Sequence, residues 1–143
     1  INSFSPSPDL FTIPEGTPEL TCQKLRTSFN LYWIDISSAA SLMRASLEKL
    51  IDDEGIPRKT KKGKFIFLHK RIEIWVKSNP ELDKLLHSLI TLKLIGNDGS
   101  HGDIVDSEVY INCLRIYCTI LRKLSNEKEL SISIDLAEII NPP

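Results

Sequence analysis

Between Asp106 and Ser125 apolar side chains stand nearly all the way round a helix, with Val109, Cys113, Ile116 and Ile120 on one side and Ile111, Leu114 and Cys118 on the other. A helix of that kind has to be wrapped by others, so the rest of the chain must supply them, and this segment is the expected centre of a bundle. The helical period recurs upstream. Thr17-Pro18 reads as a capping hydroxyl with proline at the first helical position, opening a helix to about Trp33 lined by Cys22, Leu25, Phe29 and Trp33. Asp35 or the serines after it start a second helix, ending at Gly55, with Ile36, Ala39, Ala40, Met43, Leu47, Leu50 and Ile51 inward. A third begins near Leu68, buries Ile72, Trp75 and Val76, carries His69 and Arg71 on its flanks, and stops at Ser78-Asn79. Asn79-Pro80-Glu81 caps a fourth, from Pro80 to Ile95.

The expected fold is therefore all-α, a single-domain bundle of about five helices over residues 18–126. An extended arm (1–17) precedes it and a C-terminal arm (127–143) follows. The first arm carries Pro6, Pro8 and Pro14, and its Phe4, Leu10, Phe11 and Ile13 call for a groove on this domain or on a partner. In the second, the alternation of Leu130, Ile132 and Ile134 followed by Leu136, Ile139 and Ile140 leaves strand and short helix both open. With 143 residues, 41% hydrophobic and 26% charged, the chain can bury one core. It has no run of 18 apolar residues and no basic-then-apolar leader, so no membrane contact and a cytoplasmic location are expected. It opens on Ile1 without methionine, and so reads as a processed chain or a domain cut from a longer one. Its partner would then be another protein, the missing part of its own polypeptide, or a second copy in a homodimer.

Chemistry concentrates between Lys93 and Gly102, where three of the six glycines stand beside Asn97, Ser100 and His101. Gly96 fits the left-handed residue that ends the fourth helix, and the glycines are expected to shape a tight loop. Counted from Leu82 at 100° per residue, Lys93 falls at about 20°, inside the stripe of Leu82, Leu86, Leu89 and Ile90. It either faces a polar site made with the loop or snorkels out to cap helix carbonyls. Arg44 and Glu48, one turn apart on the second helix, form a surface ion pair or lean toward the same loop. His101 can orient the turn by bonding Glu48, making a structural polar knot with no chemistry.

The glycine spacing is not that of a phosphate-binding loop and no strand precedes it. His69, His101 and Asp103 do not make a metal set, and three cysteines without a CxxC pair make neither a zinc site nor a disulfide framework. No cofactor is implied. Net charge is −1, but Arg58, Lys59, Lys61, Lys62 and Lys64 put +5 within seven residues and leave −6 elsewhere. That balance excludes a generally nucleic-acid-coating surface and leaves this cluster as the candidate phosphate contact.

Ser28-Phe29, Trp33, Asp35, Arg44-x3-Glu48, Leu68-His69-x-Arg71-Ile72 and Lys93-x2-Gly96-Asn97-x-Gly99-Ser100-His101, in that order, resemble the family catalogued as domain of unknown function 4145. The resemblance covers nearly the whole chain and implies a helical bundle found in bacterial proteins beside restriction or phage-defence modules. That family is similar in layout to the HEPN superfamily, whose ribonucleases carry an arginine, a polar residue, three more residues and a histidine. Here Asn97 and His101 match, but Gly96 stands at the arginine. Metal-independent RNA cleavage needs proton transfer and stabilisation of phosphorane charge, so Lys93 or Arg44 would have to substitute. The expectation is an accessory or sensor domain of a defence protein that binds a partner chain or nucleic acid. The alternative is an endoribonuclease using His101, Asn97 and Lys93, with Arg44, Glu48, Ser100, Gly96 and Gly99 supporting the site.

Overall fold

The computed structural model describes residues 9–100 and 105–143, with side chains throughout except at 96–100. Five α-helices follow one another: α1 (Glu19–Leu31), α2 (Ile36–Asp53), α3 (Leu68–Ser78), α4 (Leu86–Ser100) and α5 (Ser107–Ile140), with a 3₁₀ helix, Pro80–Leu85, ahead of α4. The all-α architecture is the expected one. Among the described residues no helix is long and apolar enough to cross a membrane.

The ends of α2 show why it forms where it does. Asp35 accepts from the Ser37 amide at 3.2 Å and from Ser38 Oγ at 2.6 Å, and these bonds, Ser38's first, hold its carboxyl below the usual carboxylate range. At the other end Gly55 takes φ +82°, its amide bonds Asp52 O, and the Ile56 amide bonds Ile51 O, which is a Schellman closure with Ile56 folded into the core. Between them Ala39, Ala40, Met43, Leu47, Leu50 and Ile51 are buried. At about 1.5–3 kcal/mol per large side chain, such a stripe supplies much of what holds the bundle together.

The centre of the bundle is α2, which packs against α1, α3, α4 and α5, rather than α5 as expected. The buried face of α5 is narrower than its composition suggests: Tyr110, Cys113, Leu114, Tyr117, Cys118, Ile120 and Leu121 point inward, whereas Val109 is 47% exposed. Trp33, expected inside, is exposed because α1 stops two residues earlier, at Leu31. Thr17 does not cap α1; its hydroxyl donates to Pro14 O at 2.7 Å. Nor does Asn79 cap a helix at Pro80, since its side chain donates back to Trp75 O.

The α1 and α5 helices run antiparallel. Tyr32 OH meets Ser107 Oγ at 2.6 Å at one end, and Ser125 Oγ donates to Glu15 O at 2.7 Å at the other. This second bond belongs to the N-terminal arm, whose Leu10, Phe11 and Ile13 lie against the core, with Arg115 6.0 Å over the Phe11 ring. The arm's groove is on its own domain; Phe4 lies outside the described residues. At the far end, the segment that left strand and helix open continues α5 without a break to Ile140.

Candidate nucleic-acid interface

Leaving α2 at Gly55, the chain folds residues 58–66 into a small hairpin. Lys59 and Phe65 form an antiparallel bridge, the Thr60 amide bonds Lys64 O at 2.8 Å, and the Ile66 amide bonds Arg58 O at 2.9 Å. The tip closes through Gly63 N to Thr60 O at 2.8 Å and Lys64 N to Thr60 Oγ1 at 3.1 Å. Gly63 sits at φ +82°, the left-handed position that three-residue hairpin loops assign to glycine. Lys61 and Lys62 are thereby thrust out at the tip, with Lys59 and Lys64 on the two arms, all four exposed.

Phe65 and Phe67 follow on the second arm, 55% and 74% exposed, their rings 5.4 Å apart and nearly perpendicular. As i and i+2 of an extended segment they share a face. Neither is among the candidate residues of the sequence analysis, which places only the start of α3 near Leu68. The usable signal is the apolar run directly after the lysines, which α3, starting only at Leu68, leaves in extended chain.

Arg58 does not belong to the free basic cluster. Its Nε reaches both Asp52 oxygens at 2.9 and 3.1 Å, and its Nη2 reaches Oδ2 at 2.7 Å. Asp52 also accepts from Arg71 Nη2 at 2.6 Å. Burial raises the Asp52 pKa, but the bonds from Arg58 and Arg71 outweigh it and hold the carboxyl below its ordinary range. Arg71, expected on a flank of α3, is 3% exposed and also donates to Ile56 O at 2.8 Å and Pro57 O at 3.2 Å. One buried guanidinium thus ties α3 to the last turn of α2 and to the base of the hairpin. What remains for phosphates is the four lysines.

The other expected site is built differently from the expectation. Helix α4 runs to Ser100, so Gly96 and Gly99 lie inside a helix and Gly96 is not its left-handed terminus. Glycine costs a helix interior about 1 kcal/mol without forbidding it, which is how clustered glycines misled. Counting from Leu82 holds in part: Leu82 and Leu89 are buried and Leu86 and Ile90 lie partly buried against the core, but the 3₁₀ helix, at about 120° per residue, shifts the phase. The buried stripe is Leu89, Leu92 and Ile95, and Lys93 stands half-buried at its edge, about 100° from Leu92. Arg44 Nε lies 3.9 Å from Glu48 Oε1, the ordinary one-turn pair. The side chains of Gly96, Asn97, Gly99 and Ser100, and His101 with Asp103, lie outside the described residues. Among the described residues no three His, Cys, Asp or Glu side chains gather to hold a metal.

The polar groups brought together in the core were not among the expected ones. Ser28 Oγ donates to Ala39 O at 2.6 Å and Ser46 Oγ donates to Thr21 O at 3.1 Å, so each hydroxyl has spent its proton. Tyr110 OH must then be the donor to Ser28 Oγ at 2.6 Å, and Tyr117 OH the donor to Ser46 Oγ at 2.8 Å. Burial pushes the Tyr110 hydroxyl up to about 12 and raises that of Tyr117 further. Both remain protonated structural donors at neutral pH. Their chemistry is that of a core lock pinning α5 to α1 and α2.

Fold and surface together define a helical domain with a basic, aromatic hairpin at one end. The chain belongs to the family described as Domain of unknown function (DUF4145), whose model matches residues 26–138. Comparison with curated proteins and with solved structures gives no match.

Proposed function

We propose that this domain is an accessory module of a bacterial defence protein, of the anti-phage or restriction type, that contacts single-stranded nucleic acid through its lysine and phenylalanine hairpin. The defence setting follows from the family resemblance. The observation that carries the nucleic-acid reading is the pairing of four exposed lysines with two exposed phenyl rings on one short, hydrogen-bonded hairpin. Backbone phosphates call for the first and unpaired base faces for the second. Duplex offers no free base faces, so the rings favour a single strand. The acidic balance elsewhere on the chain confines the contact to this end.

Fluorescence anisotropy with labelled single-stranded and duplex oligonucleotides tests this. Single-strand binding should weaken with salt at a log–log slope of up to about −3, four phosphates at about 0.7 each. Replacing all four lysines by glutamate should abolish it. Phe65→Ala with Phe67→Ala should weaken it about 10- to 100-fold with little change in slope. Affinity that ignores both sets of substitutions, or no binding at about 50 mM salt, overturns the proposal.

A further inference from the structure

From Lys128 onward every residue of α5 and of the segment after it is exposed, and the helix nevertheless continues to Ile140. Leu130, Ile132, Ile134, Leu136, Ile139 and Ile140 on this tail are each more than half exposed. Placed at 100° per residue, they and Ala137 cover an arc of about 220°. A helix so apolar gains nothing by standing alone in water, since a lone segment of this length is marginal even with good helix formers. Something covers it.

Charge and position point to what does. Glu129, Asp135 and Glu138 against Lys128 leave the exposed tail at −2. It leaves the bundle where α2 finishes, for Leu50 and Glu54 share one crevice with Leu124, Ser125 and Lys128. The hairpin springs from that same end, with Lys59, Lys61, Lys62 and Lys64 supplying +4 beside Phe65 and Phe67. One end of the molecule therefore presents an acidic apolar rod and a basic aromatic knob, both exposed.

We infer that the occupant is a second copy of this chain, each tail lying across the hairpin of the other. A two-fold rotation makes the same contact twice and closes the assembly. Each copy contributes six large aliphatic side chains and two phenyl rings, on the order of 1,500 Å² in total, the size of a standard stable interface. Laying tail on tail would instead set −2 against −2. The inference does not rest on the nucleic-acid reading; where both hold, the dimer covers the hairpin and withholds it from nucleic acid.

Sedimentation velocity of the full chain over a concentration series tests it. The native chain should be a dimer, and Ile134→Asp and the pair K61E/K62E should each weaken dimerisation at least tenfold. Circular dichroism should stay native, since all the altered residues are exposed. Combining K59E/K61E/K62E/K64E with E129K/D135K should restore the dimer, because a hairpin at −4 then faces a tail at +2, the native charge pairing inverted. A monomer at about 100 µM overturns the inference. So does a dimer that Ile134→Asp dissociates but K61E/K62E does not touch, which would be tail packed on tail; neither result bears on oligonucleotide binding by the monomer.

Discussion

Arg71 on α3 and Asp52 on α2 meet at 2.6 Å, and the guanidinium that makes this contact is buried while the carboxylate is not fully so. The asymmetry decides what the pair does. Asp52 is partly exposed and has a second arginine, whereas among the described residues Arg71 bonds only Asp52, Ile56 O and Pro57 O. The α2–α3 connection is thus held by one side chain from the far element.

Arg71→Ala is expected to lower the unfolding free energy by about 3 kcal/mol, the lower part of the range for breaking a buried ion pair, because Asp52 retains Arg58. Arg71→Lys should recover less than half of this, as an ammonium cannot span three acceptors held by a planar fork. Urea unfolding of both variants measures it, and a loss under 1 kcal/mol for Arg71→Ala would mean the contact is incidental.

The direction of the hydroxyl bonds predicts an inequality. Ser28→Ala strands the Tyr110 donor in the core and should cost about 2 kcal/mol, whereas Tyr110→Phe leaves only a spare lone pair on Ser28 and should cost about 1. Equal or reversed losses in chemical denaturation would show that the proton order is wrong.

Alkali should destabilise the fold progressively. Cys118 is pushed by burial up to about 11 and Tyr110 to about 12, both above their unfolded values. Groups raised in the folded state contribute stability that is complete below the unfolded pKa and is lost as pH rises through the folded one. The decline should therefore begin near pH 9 with the thiol and steepen between about pH 10 and 12, by about 1.4 kcal/mol per pH unit for each tyrosine. Urea midpoints from pH 8 to 11.5 check the sign, and the double variant Y110F/Y117F should flatten the upper part of the curve.

With Gly96 and Gly99 inside α4, alanine at either position should raise the melting temperature, by up to about 1 kcal/mol of stability each. A fall at both positions, read by thermal circular dichroism, would show instead that close packing or a left-handed backbone demands glycine there.

The isolated chain should not cleave RNA at a rate attributable to His101, because metal-independent cleavage needs a cation beside the phosphorane, Gly96 offers none, and losing one transition-state donor typically costs about 10²- to 10³-fold. Gel assays with structured and unstructured RNA in EDTA, with His101→Ala as control, decide it. Turnover that vanishes in the control would establish the ribonuclease alternative, and Lys93→Ala or Arg44→Ala would then identify the substitute for arginine.

Local patterns carried the helices well. The stripe from Ala39 to Ile51, the Asp35 start and the Gly55 stop were readable because period, cap and left-handed closure all act within a few residues. What could not be read acts across distance. Arg71 finds Asp52 nineteen positions away, and Tyr110 finds Ser28 eighty-two away, with nothing in either neighbourhood to announce it. The glycines after Lys93 failed for another reason, since crowding of permissive residues allows a turn without requiring one. Of the candidate site, the lysines were legible and the phenyl rings beside them were not. Exposure of an aromatic depends on where the next helix begins.

Because α5 is unbroken from Ser107 to Ile140, the tyrosines locked in the core and the aliphatic side chains of the tail ride a single screw. One residue inserted after Ser125 would swing the tail's apolar arc by about 100° and advance it by about 1.5 Å, while leaving in place the core contacts of α5, which end at Leu124. A four-residue insertion would bring the arc back to within about 40° of its bearing, one turn further out. The compass direction of the tail is set by the number of residues between lock and tip, and a length change there would re-aim it with no change in its composition.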